Sequence, residues 1–352
     1  MRKVTSYLFL TGSALFLLYA CTKTGSSTTI VGNWINRFDF DGVGRTNGVS
    51  FVIGDIAYVT TGYGGQGNTD TSTAVSDRLF DTWKYNVDNN SWTKLANLPK
   101  SAARSNAAGF ATSTKGYIVG GLASDGITRL KDTWEYDPTA NTWTQRADFL
   151  GTARFDAVGF GINNLGYIAT GFDGNYLKDF YSFTPPTTGN PNGVWAQLQS
   201  FQGSKRRGAS VFVNGGKAYV MGGQDNTTYP SDFWVFDPAG GWTAKGAIAN
   251  VLSDTKDDGY TGITRVNGTA FVMNSKGYLA TGAAGSLYKT VWEYDFSTDT
   301  WAQKTDFEGG ARTGALSFTV KNRGFLLTGT SSTLYYSDFW EFHPDEAYNQ
   351  YD

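Results

Sequence analysis

All eleven tryptophans of this chain fall on two positions of one sixfold repeat, and this register constrains the fold more than any other feature. The repeat is about 50 residues long, a period typical of solenoids and propellers. At one of the two positions, tyrosine replaces tryptophan in the third unit. The first series is Trp34, Trp92, Trp143, Trp195, Trp242 and Trp301, and the second is Trp83, Trp134, Tyr181, Trp234, Trp292 and Trp340.

Further positions confirm the register of each unit. An arginine is followed by a glycine or alanine three residues later, a phenylalanine after six, a tyrosine or phenylalanine after thirteen, and a glycine after seventeen. Six units that agree at five linked positions exclude a chance pattern. The arginines are Arg45, Arg104, Arg154, Arg206, Arg265 and Arg312.

Each unit predicts four short antiparallel strands and therefore an all-β fold. Small and aromatic residues alternate in the first strand, and a glycine-containing turn such as residues 214–216 leads to the second. The third strand has aromatic side chains on alternate residues, as in Trp134-Glu135-Tyr136. No segment has a sustained helical period, so helix is expected only in the N-terminal leader.

These features resemble the kelch repeat family over about residues 30–345. The shared elements are a glycine doublet, assigned to Gly64-Gly65, Gly120-Gly121 and Gly222-Gly223, an aromatic residue after it, and a tryptophan that closes the unit. Three units lack one doublet glycine, at Gly171-Phe172, Gly282-Ala283 and Gly329-Thr330. The resemblance implies a β-propeller, in which each unit forms one blade around a central channel.

The order of the strands predicts how the ring closes. The last unit, which begins at Arg312, has no closing tryptophan, whereas Trp34 has no strands before it. We therefore expect the Trp34 strand to complete the last of six blades, which removes two open sheet edges. Residues 30–345 then form one propeller, and residues 346–352 form a C-terminal tail.

The N-terminus predicts export and lipid attachment. A basic start precedes the mostly apolar residues 4–19, and Leu18-Tyr19-Ala20-Cys21 resembles a bacterial lipobox. The resemblance implies a signal peptide over 1–20, a diacylglyceryl thioether on Cys21 and a flexible tether over 21–29. The alternative, an uncleaved signal anchor, would need a longer apolar span. We expect a lipid anchor in the bacterial cell envelope, in the outer membrane, on its periplasmic or surface side.

Composition argues against several classes of function. The net charge is −2 and there is no basic block, so nucleic acid is not an expected partner. Cys21 is the only cysteine and His343 the only histidine, so no disulfide, metal site, cofactor or catalytic residue is assigned. Galactose oxidase, a related kelch-type propeller enzyme, binds copper through two histidines and a cysteine-linked tyrosine, which this chain cannot supply. Asp254, Asp257 and Asp258 match no calcium loop and are interpreted as part of a mobile acidic loop.

Loop lengths indicate which end of the propeller binds ligands. The long connections 63–80 and 245–264 lie at the end where the arginines open each first strand. Long loops on a rigid scaffold usually carry the binding function. The connection 185–194 lengthens the opposite face and is interpreted as a spacer. Tyr63, Tyr229, Tyr260 and Tyr288 are aromatic residues outside the register that could contact a ligand on the arginine end.

The candidate ligand-binding residues encircle the channel mouth on this face. The arginines either tack neighbouring blades through loop carbonyls or belong to a binding site. Asp156 is the only acid at its register position, and Arg207 is an extra arginine, so both break the sixfold symmetry; ordinary solvated polar residues are the alternative interpretation. The full candidate set is Asn47, Asn106, Arg154, Asp156, Arg206, Arg207 and Asn267.

Two functions follow as expectations. The first is a monomeric, membrane-tethered, non-catalytic propeller that binds a glycan or a protein ligand. The second resembles periplasmic kelch propellers that epimerise or mutarotate sialic acids without a cofactor, with Asp156, Arg154 and Arg206 as its best available set. General acid–base catalysis requires a carboxyl of tuned pKa, and an Asp156 in a hydrated mouth would lack one.

Overall fold

The computed structural model describes residues 30–64, 74–248 and 262–351. Six antiparallel sheets form the blades of a β-propeller, which confirms the predicted fold. The helical structure in these residues is one 3₁₀ turn, Lys100–Ala102. No helix in this part of the chain is long and apolar enough to cross a membrane. Cys21, the proposed tether, Tyr260 and the three aspartates of the acidic loop lie outside the described residues.

The first two blades follow a single entering strand, β1 (Asn33–Asn36). Blade 1 contains β2 (Val49–Ile53), β3 (Ile56–Thr60), the small hairpin β4 (Ala74–Val75) and β5 (Arg78–Leu79), β6 (Thr82–Asn86) and β7 (Ser91–Lys94). Blade 2 contains β8 (Arg104–Ser105), β9 (Ala108–Ala111), β10 (Gly116–Ala123), β11 (Arg129–Asp137) and β12 (Thr142–Arg146). The hairpin of β10 and β11 is longer than its equivalents in the other blades.

The remaining blades are regular. Blade 3 contains β13 (Val158–Ile162), β14 (Leu165–Ala169), β15 (Phe180–Thr184) and β16 (Val194–Leu198). Blade 4 contains β17 (Ser210–Asn214), β18 (Lys217–Met221), β19 (Trp234–Asp237) and β20 (Gly241–Ala244). Blade 5 contains β21 (Thr269–Met273), β22 (Lys276–Ala280), β23 (Val291–Asp295) and β24 (Thr300–Lys304). Blade 6 contains β25 (Leu316–Val320), β26 (Arg323–Leu327) and β27 (Phe339–His343).

The fourth strand of blade 6 is β1, as predicted. The sheet order is β1-β27-β26-β25, and Trp34 pairs with Phe342 in the ladder. The Trp34 ring is fully buried and stacks on Phe342 at 4.4 Å. The two ends of the chain therefore close the ring within one sheet. Beyond β27, the Asn349 N–H donates to Asn33 Oδ1 at 2.9 Å, which holds the tail against the start of β1.

The first strand of every blade lines the channel, and each of these strands contacts its two neighbours around the ring. Register aromatics fill the spaces between blades. In blade 2, for example, Phe110 stacks on Tyr117 at 4.8 Å and packs against Phe183 of blade 3 at 6.1 Å. Close packing of this kind explains the high aromatic content of the chain: the register aromatics form the core between the blades.

A glycine before the second-strand aromatic makes room for the preceding blade. A Cβ at Gly116 would collide with the ring of Phe51 in blade 1, and one at Gly166 with Phe110 in blade 2. The same position is glycine or alanine in all six units, so this requirement for a small residue is also visible in the sequence.

The doublet assignment is corrected in four blades. The second doublet residue is glycine throughout, but the first is threonine at Thr61, Thr170, Thr281 and Thr328. In blade 1 the doublet is therefore Thr61-Gly62 and not Gly64-Gly65. These threonines have φ between 54° and 64°, a left-handed conformation that costs a β-branched residue about 1–2 kcal/mol. The interactions of the registered arginines explain why this conformation is kept.

Candidate functional site

Each registered arginine is buried inside its own blade. The Arg45 side chain is fully buried and forms a two-pronged ion pair with Asp81, with both N–O distances at 2.7 Å. Its Nη1 also donates to the carbonyl of Thr61 at 3.0 Å, and Nε donates to Val43 O. The left-handed Thr61 presents its carbonyl to the guanidinium, so one side chain joins three segments of blade 1.

The same clamp is repeated around the ring. Every registered guanidinium donates to the carbonyl sixteen residues later, and five of the six pair with an aspartate of their own blade. In blade 5, Thr290 replaces the aspartate, and burial lowers the pKa of Arg265. The five aspartates are Asp81, Asp132, Asp179, Asp232 and Asp338.

Arg154 and Arg206 therefore do not belong to the mouth, which corrects the candidate set. Their guanidinium groups are buried against Asp179 and Asp232. The expected structural role holds, but the clamp acts within a blade. The link between blades comes from the arginine carbonyls, each of which accepts the N–H of the preceding blade's doublet glycine at 2.7–2.9 Å, as Arg104 does from Gly62.

A ring of six backbone hydrogen bonds surrounds the channel mouth. It is formed by the residues two positions after each arginine, and each N–H donates to the carbonyl of the equivalent residue in the preceding blade at 2.8–3.2 Å. All six residues have φ between 51° and 62°. Asn, Asp and Gly tolerate this conformation best, so the backbone limits the variation at this position to those three. The six are Asn47, Asn106, Asp156, Gly208, Asn267 and Gly314.

The side chains of this ring line a cavity of about 150 Å³. Asn106 Nδ2 donates to Asp156 Oδ1 at 2.7 Å. A Cβ at Gly208 would collide with the amide of Asn267, and one at Gly314 with the amide of Asn47. The predicted Asn47, Asn106, Asp156 and Asn267 are thus brought together at one mouth.

Asp156 is the one acidic residue among those that line this mouth, and its side chain is largely buried. Its side chain is 7% exposed, and Arg207 Nη1 lies 3.6 Å from its Oδ2. Burial raises the pKa of the carboxyl, while the Asn106 hydrogen bond and the Arg207 charge partly oppose the shift. The expectation of a hydrated carboxyl with an ordinary pKa is therefore wrong, and the main objection to proton transfer at this position is removed.

A family comparison bears on this arrangement. The Kelch motif model matches residues 103–150 and 205–241, which cover most of blade 2 and the first three strands of blade 4. The chain is a kelch-repeat β-propeller. The solved structure of YjhT superposes on it with a TM-score of 0.66, covering 87% of this chain and 95% of that one at 17% identity. That likeness supports the fold alone.

Two curated relatives match parts of this kelch propeller. An F-box/kelch-repeat protein of Arabidopsis thaliana is 32% identical over 99 residues, which are 28% of this chain and 24% of the relative. The N-acetylneuraminate epimerase of Pasteurella multocida (strain Pm70) is 29% identical over 128 residues, 34% of this chain and 32% of the enzyme. The kelch propeller thus spans no more than about a third of the length of either relative.

Sequence reasoning missed the outer rim of the site. Phe155 and Phe172 are half-buried, pair across blade 3 and pack edge-to-face at 5.5 Å. The guanidinium of Arg207 lies 5.6 Å from the centroid of each ring, and Arg207 Nη2 donates to Gln224 at 3.3 Å. The available signal was local: Phe155 directly follows a registered arginine, and Phe172 follows a doublet glycine.

The tyrosines outside the repeat register differ in their surroundings. Tyr63 packs on Tyr335 at 5.5 Å and lies beneath Arg78, and the Tyr229 hydroxyl accepts the Gly285 N–H at 3.1 Å. Tyr288 lies beneath Arg265 and belongs to the blade 5 clamp. Tyr63 and Tyr229 therefore remain on the candidate face, whereas Tyr288 is structural.

Among the described residues, neither a metal-binding group nor the histidine lies at the mouth. In residues 30–64, 74–248 and 262–351 no group of three His, Cys, Asp or Glu residues could hold a metal ion. His343 lies in the third strand of blade 6, where Nδ1 is 2.8 Å from Glu346 Oε1 and Nε2 is 3.4 Å from Glu341. It is not among the residues that line the mouth cavity.

Proposed function

We propose that this kelch propeller is a non-catalytic glycan-binding protein whose ligand enters the arginine end of the channel. The mouth offers one carboxylate and three amides, which donate and accept hydrogen bonds with defined geometry. Its cavity of about 150 Å³ continues into about 290 Å³ of channel, because both are lined by Ala107, Ala157 and Ala209; typical ligand pockets measure roughly 300–1,000 Å³. A single terminal sugar fits that scale better than a protein loop does.

The observation that carries the proposal is the broken symmetry at Asp156. Five of the six ring positions are neutral, and the one charged side chain is 7% exposed, hydrogen-bonded to Asn106 and close to Arg207. A carboxylate that only stabilised the fold would be expected to have a closer cationic partner, as the clamp aspartates do. A buried carboxyl with free acceptor capacity beside a cavity is well suited to bind hydroxyl groups.

A cofactor-free sugar epimerase or mutarotase is the second candidate. It is favoured by the raised pKa of Asp156 and by the partial match to the N-acetylneuraminate epimerase. In mutarotation, one carboxyl oxygen would take the anomeric hydroxyl proton while the other returns a proton to the ring oxygen, as the C–O bond opens. The step balances without a co-reactant, and in this proposal Arg207 replaces Arg154 and Arg206 as the neighbouring cation.

Asp156→Asn tests the site. The amide keeps the acceptor for Asn106 but removes the charge, so affinity for a terminal sugar should fall at least tenfold, about 1.4 kcal/mol. Binding is measured by calorimetry after an oligosaccharide screen of residues 30–352, with the exposed Asp55→Asn as the matched control. Equal affinity of the Asp156→Asn and wild-type proteins, with no difference in turnover, would place the site elsewhere. Retained binding with lost turnover would favour the epimerase.

The same variant has an expected effect on stability. Because the pKa of Asp156 is raised in the folded state, its contribution is present below the unfolded pKa and is lost as the pH rises through the folded pKa. Wild type should therefore lose stability over that window, and Asp156→Asn should not. Melting temperatures across pH test this, and a variant less stable than wild type at neutral pH would contradict it.

We further propose that Cys21 anchors the propeller to the cell envelope through lipid. Each buried CH₂ contributes about 0.8 kcal/mol, so two acyl chains suffice for stable attachment. Cys21→Ser should abolish the incorporation of a labelled fatty acid and shift the protein from the detergent phase to the aqueous phase. A Cys21→Ser protein that still carries the label would refute the anchor.

A further inference from the structure

We infer that the arginine end binds an acidic polysaccharide along an arc of three arginines that lie outside the repeat register. This arginine arc consists of Arg78, Arg129 and Arg207, with the aromatic rings of Tyr63, Phe155 and Phe172. The inference rests on the proposed glycan function and adds the charge and the polymeric nature of the ligand.

Each guanidinium of the arc lies against an aromatic ring. Arg78 lies 4.3 Å from the centroid of Tyr63. Arg129 and Arg207 both lie 5.6 Å from the centroid of Phe172, and Arg207 also contacts Phe155. A planar guanidinium held on a ring keeps its N–H groups in a fixed fork, which suits bidentate binding of carboxylate or sulfate.

The arc differs from the clamp arginines in its partners. Among the described residues, neither Arg78 nor Arg129 has a carboxylate oxygen within 4.0 Å, and Arg207 has only the 3.6 Å contact with Asp156. The Nε atoms of all three are buried without a hydrogen-bond partner within the described part of the chain. The exposed Asp125 is a more distant electrostatic neighbour of Arg78. Three half-buried cations with no closer ion pair than the Asp156 contact indicate an anionic partner from outside.

The arc is continuous across the face. Tyr335 of blade 6 packs on Tyr63, which supports Arg78. A Cβ at Gly126 would lie 3.0 Å from Arg78 Nη2, so Arg78 reaches the turn of the long hairpin of blade 2. Arg129 lies beside that turn, where it pairs with Leu122. A repeating polyanion can therefore contact several blades at once, with one end at the channel mouth.

The chemistry of the arc favours a sugar polymer over an acidic peptide. Tyr63, Phe155 and Phe172 are half-buried, so each side chain keeps part of its surface open to a sugar ring. The adjacent backbone is already paired, in the bridges Thr46 to Tyr63, Phe155 to Phe172 and Arg207 to Gln224. A peptide would find few backbone partners on this face, whereas sugar rings and their acidic groups need only the side chains.

The test compares polygalacturonate, dextran sulfate and neutral dextran. The first two carry carboxylate and sulfate respectively, so they distinguish the sources of the anionic group. The double variant Arg78→Gln and Arg129→Gln should bind the preferred polyanion at least tenfold more weakly and with a shallower salt dependence. Arg323→Gln is the control: its side chain is 38% exposed, and Glu341 keeps Arg37 as a partner.

The outcomes separate this inference from the proposed function. Equal binding of a polyanion by the double variant and wild type overturns the arc, as does wild type binding neutral oligosaccharides but no acidic polymer. Wild type that binds neither class overturns the proposed function as well. Polyglutamate bound as tightly as the polysaccharide, and weakened equally by the double variant, would overturn the assignment of a sugar polymer.

Discussion

A chain that begins at Arg37 is expected to aggregate or to melt far below one that begins at Ile30. The shorter chain lacks β1, so β27 keeps only β26 as a partner strand and the face under Trp34 is exposed. The Trp34 ring contacts Phe342 at 4.4 Å, Phe307 at 4.9 Å and Phe271 at 6.4 Å. An unpaired aromatic strand edge is also a site for association between chains.

A point substitution separates packing from strand pairing. Trp34→Ala keeps the ladder but removes a fully buried ring, which should cost about 3–5 kcal/mol. Thermal unfolding followed by circular dichroism, together with size-exclusion chromatography, measures both effects. A chain starting at Arg37 that is as soluble and stable as one starting at Ile30 would show that blade 6 does not need β1.

The fold could be predicted because the residues that determine it recur in six units. Aromatic residues that pack between blades recur in register, so the strand count and the position of Trp34 follow from spacing alone. The closure of the ring was predictable for the same reason, since one unit lacked a fourth strand and one strand lacked a unit.

The direction of the arginine side chains was harder to predict. A repeated arginine next to a variable polar residue is compatible with a ring of ligands, and only the three-dimensional structure places each guanidinium inside its blade. The sequence did contain the partner. An aspartate stands two residues before the second tryptophan position, which Tyr181 occupies in the third unit, in five of the six units: Asp81, Asp132, Asp179, Asp232 and Asp338. Reading that aspartate with the arginine would have predicted the clamp.

The candidate site could be predicted only in part, because the residue types at the ring position also have a structural cause. Asn, Asp and Gly occur at the ring position because the backbone is left-handed there. A change among these three residues between blades is therefore weak evidence for a binding function. Asp156 retains its interest because of burial and neighbours, which spacing does not report. Phe155, Phe172 and Arg129 occupy positions with no consistent residue type, and their proximity depends on how neighbouring blades meet.

The second large effect is expected from Asp81→Ala, which should destabilise the propeller by about 3–5 kcal/mol because it leaves a buried cation without its partner. Arg45 and Asp81 are both fully buried, so solvent screens neither charge. Urea unfolding followed by tryptophan fluorescence measures the change. Asp81→Asn, which keeps one acceptor for Arg45, should lie between the alanine variant and wild type.

In blade 5 the reverse experiment is possible, because a clamp aspartate can be introduced there. Thr290 stands where the other blades have aspartate, and Arg265 is fully buried beside it with a lowered pKa. Thr290→Asp should therefore stabilise the propeller, by about 1.5–3 kcal/mol for a hydrogen bond to a charged group. If Asp81→Ala cost less than about 1 kcal/mol while Thr290→Asp had no effect, the clamp would be a by-product of packing. The expected pair of opposite effects would instead make the buried ion pair the element that holds the loops of each blade in place, and with them the ring that carries Asp156.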